Sequence, residues 1–205
     1  MKKSILAAVV ATTFVSAAHA EKKTFDFKDP KGVNNVTFTL DAPLESISGT
    51  ASDVSGTLTL DPENPAEVEG KIIVAAESLH VPNPMMKSHM HGDGWLNVQE
   101  HETIEFEVKE VKNVERDGDS GTAEVSGTFT LHGVSKDVTV PATVTYLPGR
   151  LGDRIPDAKG DLLVIRADWT IKRSEFEIKP GEAEDKVADE IALSMAIAGA
   201  APDEE

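Results

Sequence analysis

From Val36 onward the chain alternates apolar and polar residues almost throughout, and no other feature restricts its fold so strongly. Val36, Phe38 and Leu40 alternate with Thr37 and Thr39. Val54, Leu58 and Leu60 share a parity with Gly56, while Ser55, Thr57 and Thr59 take the other. Ile104, Phe106 and Val108 alternate with Glu105, Glu107 and Lys109; Val125, Phe129 and Leu131 alternate with Ser126, Thr128 and Thr130. Leu163, Ile165, Ala167, Trp169 and Ile171 form a further row, and Ile191, Leu193, Met195 and Ile197 a last one. A period of two places successive side chains on opposite faces of a strand, so each segment predicts a half-buried strand. Turn-forming stretches such as Asp61-Pro62-Glu63-Asn64-Pro65 and Asp117-Gly118-Asp119 separate them. Many short strands of this kind predict an all-β sandwich or barrel.

One segment departs from the alternation. Asn83 is a good N-cap and Pro84 a good first helical residue. A short helix is therefore predicted near residues 84–91, with Met86 and Met90 four apart on one face and Gly92 and Gly94 ending it. Residues 150–160 and 180–185 read as polar loops, and residues 200–205 as a frayed tail.

The N-terminus reads as a secretory signal peptide. Met1-Lys2-Lys3 is basic, Ile5 to Val15 is apolar, and Ala18-His19-Ala20 is a small-x-small cleavage signal. The apolar run is too short to span a bilayer, which takes about 20 residues. Residues 1–20 are therefore expected to be removed, leaving 21–205 as one domain, exported to the periplasm with no stable membrane anchor. Removal takes Lys2 and Lys3, so 18 basic residues face 36 acidic ones, a net charge of −18. Such a surface argues against nucleic acid, whose binding depends on Lys and Arg. The chain has no cysteine, which removes disulfides, thiolate ligands and thiol catalysis.

No catalytic constellation is present: there is no Gly-x-Ser-x-Gly, no His-Glu-x-x-His and no phosphate-binding glycine loop. His132, in Leu131-His132-Gly133-Val134, reads as a turn histidine making a local hydrogen bond. His89 and His91 stand near Met85, Met86 and Met90, within 85–91, and His80 lies upstream. A metal- or haem-linked protein is the alternative this segment raises. Against it, His89 and His91 are two apart and point in different directions on a helix. No metal or catalytic residues are therefore assigned. A closed barrel of about eight strands is wide enough to be filled by side chains or to hold one small ligand, and the alternation alone does not choose between the two.

Several stretches resemble one known family, the YceI-like polyisoprenoid-binding proteins. They are Val54-Ser55-Gly56-Thr57-Leu58-Thr59-Leu60-Asp61, Thr103-Ile104-Glu105-Phe106, Gly127-Thr128-Phe129-Thr130-Leu131-His132-Gly133-Val134-Ser135-Lys136 and Arg173-Ser174-Glu175-Phe176. They occur in the family's order and cover essentially residues 21–205. The chain departs from the pattern at Met86, where relatives carry a basic residue, and at Glu177, where Gly is usual. The resemblance implies an extended antiparallel eight-stranded lipocalin-like β-barrel, no enzyme activity, no cofactor, and a long-chain isoprenoid lipid as ligand, of the polyprenyl or quinone-precursor type. It also implies a periplasmic location and, in many members, a homodimer. On that reading Phe38, Leu40, Leu58, Phe106, Phe129 and Trp169 line an apolar pocket, and Trp95, Met86 and Met90 cover or flank its mouth.

Overall fold

The computed structural model describes residues 22–62 and 64–203. The expected signal peptide, residues 1–20, lies outside the described residues. Ten strands form one antiparallel sheet: β1 (Lys23–Asp26), β2 (Asn35–Asp41), β3 (Ser46–Ala51), β4 (Val54–Asp61), β5 (Asn64–Ala75), β6 (Thr103–Asp117), β7 (Ser120–Leu131), β8 (Val134–Leu147), β9 (Gly160–Lys172) and β10 (Glu190–Pro202). Two short helices interrupt them, α1 (Pro84–His91) and α2 (Leu151–Arg154). No helix among the described residues is long and apolar enough to cross a membrane.

Closure follows from how strand edges are shared. One edge of β10 pairs with β9 along its whole length, from Glu190↔Lys172 to Pro202↔Gly160. The other edge is shared: β2 takes Ala192 to Ala196 and β1 takes Ala200. The pieces β3 and β4 follow each other in the same way, against β2 and β1. Ten strands thus fill eight positions around a closed barrel, with the outer edge of β3 met by the Thr50↔His80 bridge.

The excursion between β1 and β2 is fixed by buried polar groups. The Asp29 carboxylate accepts from the amides of Lys31, Val33 and Asn34 at 3.0, 2.7 and 2.7 Å and lies 2.9 Å from Arg154. Burial alone would raise the Asp29 carboxyl; these donors outweigh it and hold it below the usual range. The fully buried Asn34 donates to the carbonyls of Phe27 and Ala198 and accepts from the Ala198 amide. Every buried polar atom of Asn34 is thereby paired, as an interior position requires.

Two parts of the chain differ from the sequence expectation. Residues 200–202 are not a frayed tail: they complete β10 against Leu162, Asp161 and Gly160, and Ala201 is buried. The expected loop at 150–160 contains α2, whose Leu151 is buried. In both places small or isolated apolar residues give no periodic signal, and the long neighbouring strand supplies the pairing.

The barrel wall has two seams where adjacent strands stop pairing. Between β8 and β9 the ladder ends at Ala142↔Ala167, leaving 134–141 and 168–172 unpaired with each other. Phe176 and Ile178 pack into that gap with Phe129, Leu131 and Ile171. Between β5 and β6 the ladder runs only from Ala75↔Thr103 to Lys71↔Glu107. Beyond it, residues 64–70 continue against β4 and residues 108–117 against β7. Local backbone explains the split. Gly70 has φ +126°, and a Cβ there would lie 2.1 Å from the Thr57 carbonyl oxygen, so β5 closes tightly onto β4. On β6, bulges follow Val108 and Lys112, with Asn113 at φ 52°; bulges bend a strand and shift which side chains face inward.

Candidate functional site: a cavity through the barrel

The barrel is not filled. A cavity of about 770 Å³ lies inside it, within the range of roughly 300–1,000 Å³ usual for small-molecule pockets. It reaches from α1 and the 178–187 loop at one end to the β6–β7 turn at the other. Its middle is apolar, built from the inward rows of alternate residues that the sequence displays. Polar side chains gather at the ends: Glu45, Asn83, His89 and Lys186 beside α1, and Arg116, Asp119, Ser120 and Thr122 far from it.

All nine residues expected around a pocket line this one cavity. Phe38 and Leu40 on β2, Leu58 on β4 and Phe129 on β7 are buried; Phe106 on β6 and Trp169 on β9 are half-buried. Two of the aromatic rings lie across glycines of the neighbouring strand. A Cβ on Gly49 would sit 2.3 Å from the Phe38 ring, and one on Gly127 2.7 Å from the Phe106 ring. These glycines let the rings lie against the wall, which leaves the lumen open. The Trp169 indole nitrogen is buried without a hydrogen-bond partner among the described residues. An indole N–H can only donate, so it offers a place for an acceptor oxygen.

The helix α1 forms part of one end. Its N-cap forms as the sequence predicts: the Asn83 side chain accepts from the amides of Met85 and Met86 at 3.0 and 3.1 Å. Met86 and Met90 pack on the core, while Met85 is 70% exposed. Trp95 follows the helix, with the Arg173 guanidinium 5.7 Å and the Lys179 ammonium 5.6 Å from its ring centroid. Arg173 itself is 1% exposed. It donates to the carbonyls of Ala188, Ile178, Lys179, Glu182 and Val187, which uses all five guanidinium donors. This makes Arg173 the organiser of the 173–189 segment over the filled seam.

The histidines separate. His91 Nε2 lies 2.8 Å from the Leu79 carbonyl oxygen, whereas His89 faces the cavity. The described residues contain no group of three His, Cys, Asp or Glu placed to hold a metal ion. His132 and Gly133 take φ 53° and 74°, the left-handed pair of a tight two-residue hairpin turn. The His132 ring meets the Phe176 carbonyl at 3.2 Å, so its partner is 44 positions away and not local as expected. It pins the β7–β8 hairpin to the segment that fills the seam.

At the far end Asp161, 5% exposed, accepts from the Lys23 ammonium, from the Tyr146 hydroxyl at 2.7 Å and from the Gly149 amide at 2.8 Å. Burial pushes the Asp161 carboxyl up, but these bonds outweigh it and hold it below its ordinary value. Burial first, then Asp161, pushes the Tyr146 hydroxyl up to about 12, so this cavity-lining phenol stays a neutral donor.

The expectation missed much of the wall. Val111, Val114 and Arg116 also line the cavity. Their signal is in the sequence: Val108, Val111 and Val114 are three apart instead of two, and each extra residue coincides with a bulge.

The comparisons with known proteins agree with this architecture. The family model described as a YceI-like domain matches residues 14–198. Over 131 residues the chain is 34% identical to a UPF0312 protein of Pseudomonas aeruginosa, covering 64% of this chain and 63% of that protein. The chain therefore spans just under two thirds of the length of that relative. It is 28% identical over 181 residues to the protein YceI of Escherichia coli O157:H7, covering 87% of this chain and 88% of that one. Among solved structures, Burkholderia cenocepacia BcnA superposes with a TM-score of 0.65 at 20% identity, over 80% of this chain and 95% of that one. A polyisoprenoid-binding domain from Saccharophagus degradans superposes with a TM-score of 0.64 at 12% identity, over 89% and 100%. At these identities the superpositions speak for the fold, and with the family match over 14–198 they lead to one statement: the chain belongs to the YceI-like domain family.

Proposed function

We propose that this protein is a non-enzymatic carrier, working in the periplasm after export, that holds a long-chain isoprenoid lipid inside its barrel. The observation that carries this reading is the cavity of about 770 Å³, apolar in the middle and polar at both ends. Its shape suits a chain molecule with an apolar body. Burying each methylene-sized group contributes about 0.8 kcal/mol, so a few isoprene units outweigh the ordering of a flexible tail, at about 0.5–1.5 kcal/mol per immobilised group. The fold neighbour described as a polyisoprenoid-binding domain supports the same ligand class. Phe38, Leu40, Leu58, Phe106, Phe129 and Trp169 would touch the tail, and Met86, Met90 and Trp95 would close one end over it. The family resemblance adds assembly as a homodimer to this reading.

Mass spectrometry of an organic extract from natively purified protein tests the proposal. The expected result is a stoichiometric polyprenyl or quinone-like molecule. A folded protein with a clean extract, which also fails to take up added geranylgeraniol, would overturn it. Affinity is further expected to rise with tail length at a constant head group and to change little with salt.

A further inference from the structure

The seam between β5 and β6 is more than a fault in the ladder. Its two rims belong to the cavity: Pro65 and Val68 on β5, and Val108, Val111 and Val114 on β6, all line it. Val114 is 38% exposed, one of four large apolar residues exposed to that degree among the described residues. The slot has two defined ends. Near mid-barrel it stops where backbone pairing begins, at Lys71↔Glu107. At the far end the Arg116 guanidinium reaches across and donates to the Pro62 carbonyl oxygen at 2.6 Å. Between these ends no backbone pairing joins the two strands. The contacts of an exposed side chain are easier to break than a strand ladder, since an exposed side chain exchanges rotamers on picoseconds to nanoseconds.

Resting on the carrier reading above, we propose that the apolar chain of the ligand passes sideways through the slot between β5 and β6, and that Arg116 is the latch on its open end. The geometry supports passage here for three reasons. A flexible isoprenoid tail fits a long narrow opening without removing a strand from the barrel. The valine and proline rims keep the tail in apolar contact on the way. The two bulges of β6 turn Val111 and Val114 inward where strict alternation would present polar residues. The end carrying α1 offers a less open path. There Met86 and Met90 pack on the core, and the neighbouring 173–189 segment is tied down by the five bonds of Arg173.

The chain has no native cysteine, so the slot can be bridged cleanly. Glu69 and Glu110 are exposed, lie on opposite rims and do not line the cavity. The double variant Glu69→Cys, Glu110→Cys is loaded with tritiated geranylgeraniol and then joined by a short bismaleimide. Release into phosphatidylcholine vesicles is followed. The expected result is unchanged bound label and release at least tenfold slower than from the unbridged variant. Bridging before loading is expected to block uptake to the same extent. In Arg116→Ala, checked for folding by circular dichroism, release is expected to be several-fold faster. Bridged protein that loads and releases at the unbridged rate overturns the portal and leaves the carrier reading intact. Wild-type protein that takes up no geranylgeraniol overturns the carrier reading, and the portal with it.

Discussion

The two seams of the barrel arise in the same way and are treated oppositely. In each, two long strands stop pairing partway along and separate. The β8–β9 seam receives Phe176 and Ile178, with the Phe129 and Phe176 rings packed edge to face at 5.6 Å. Arg173 holds the inserted segment by hydrogen bonds to five carbonyls. Among the described residues no inserted segment enters the β5–β6 seam; its valines face the cavity and Arg116 reaches across it. The difference teaches what a broken ladder demands. Where buried side chains fill the gap it becomes core, and filling ties together distant parts of the chain. Where nothing fills it, the gap stays continuous with the lumen.

Breaking the filled seam should have the largest effect. Arg173→Met leaves five carbonyls short of a donor, one of them buried and the others part-buried. An unsatisfied buried group costs about 1–3 kcal/mol, so a loss of about 4 kcal/mol or more is expected, read as the shift in the urea midpoint. Phe176→Ala should follow at about 3–4 kcal/mol, from lost burial plus the cavity left behind. A loss below about 1 kcal/mol there would show that the seam closes without its filler. In the open seam, Val114→Ser should change stability by less than about 0.5 kcal/mol while altering geranylgeraniol release, which separates a wall residue from a portal residue.

Acid should distinguish the same two regions. In the filled seam the five bonds of Arg173 end on backbone carbonyls, which do not titrate, and the one carboxylate there, Asp189, takes only the Ser174 amide and hydroxyl at 2.9 Å. The opposite end relies on the carboxylates of Asp161 and Asp29, both held below their ordinary values by their donors against the opposing effect of burial. As pH falls, the unfolded chain takes up these protons first, near pH 4. The stabilisation is therefore complete above that point and is lost as pH drops through the lower folded-state values. Hydrogen exchange should show the amides around β1 and Gly149 losing protection before those of residues 173–178. Equal loss at both ends would break the comparison. The smallest expected effect lies within the filled segment. Glu177 has φ 59°, a conformation that strains any residue with a Cβ. Glu177→Gly should stabilise by less than about 1 kcal/mol, because glycine's greater freedom in the unfolded chain offsets part of the relief.

Much of the wall could be read from the sequence because a strand writes its two faces as parity. Phe38, Leu40, Leu58, Phe106, Phe129 and Trp169 all face one lumen, as their alternation implied. The cap of α1 was equally readable, since Asn83 and Pro84 act on their own neighbours. Phe25 and Phe27, both fully buried, carry no readable period, because β1 has only four residues and Phe27 lies just beyond it. Arg173 was hidden for another reason: its partners are carbonyls, which every residue carries, brought together by a loop that the pattern leaves blank.

The sequence by itself determined the strands, their inward residues and the short helix, because period and capping are local properties of neighbouring residues. It also carried, in the three-residue spacing of Val108, Val111 and Val114, the mark of two bulges. Only the tertiary structure decided that β1 and β2 share one edge of β10 and close the barrel, that the lumen stays open, and that one seam is filled while the other is not. Those outcomes depend on which distant strands pair and on the volume left between their side chains, and neither quantity is written in any stretch of neighbouring residues.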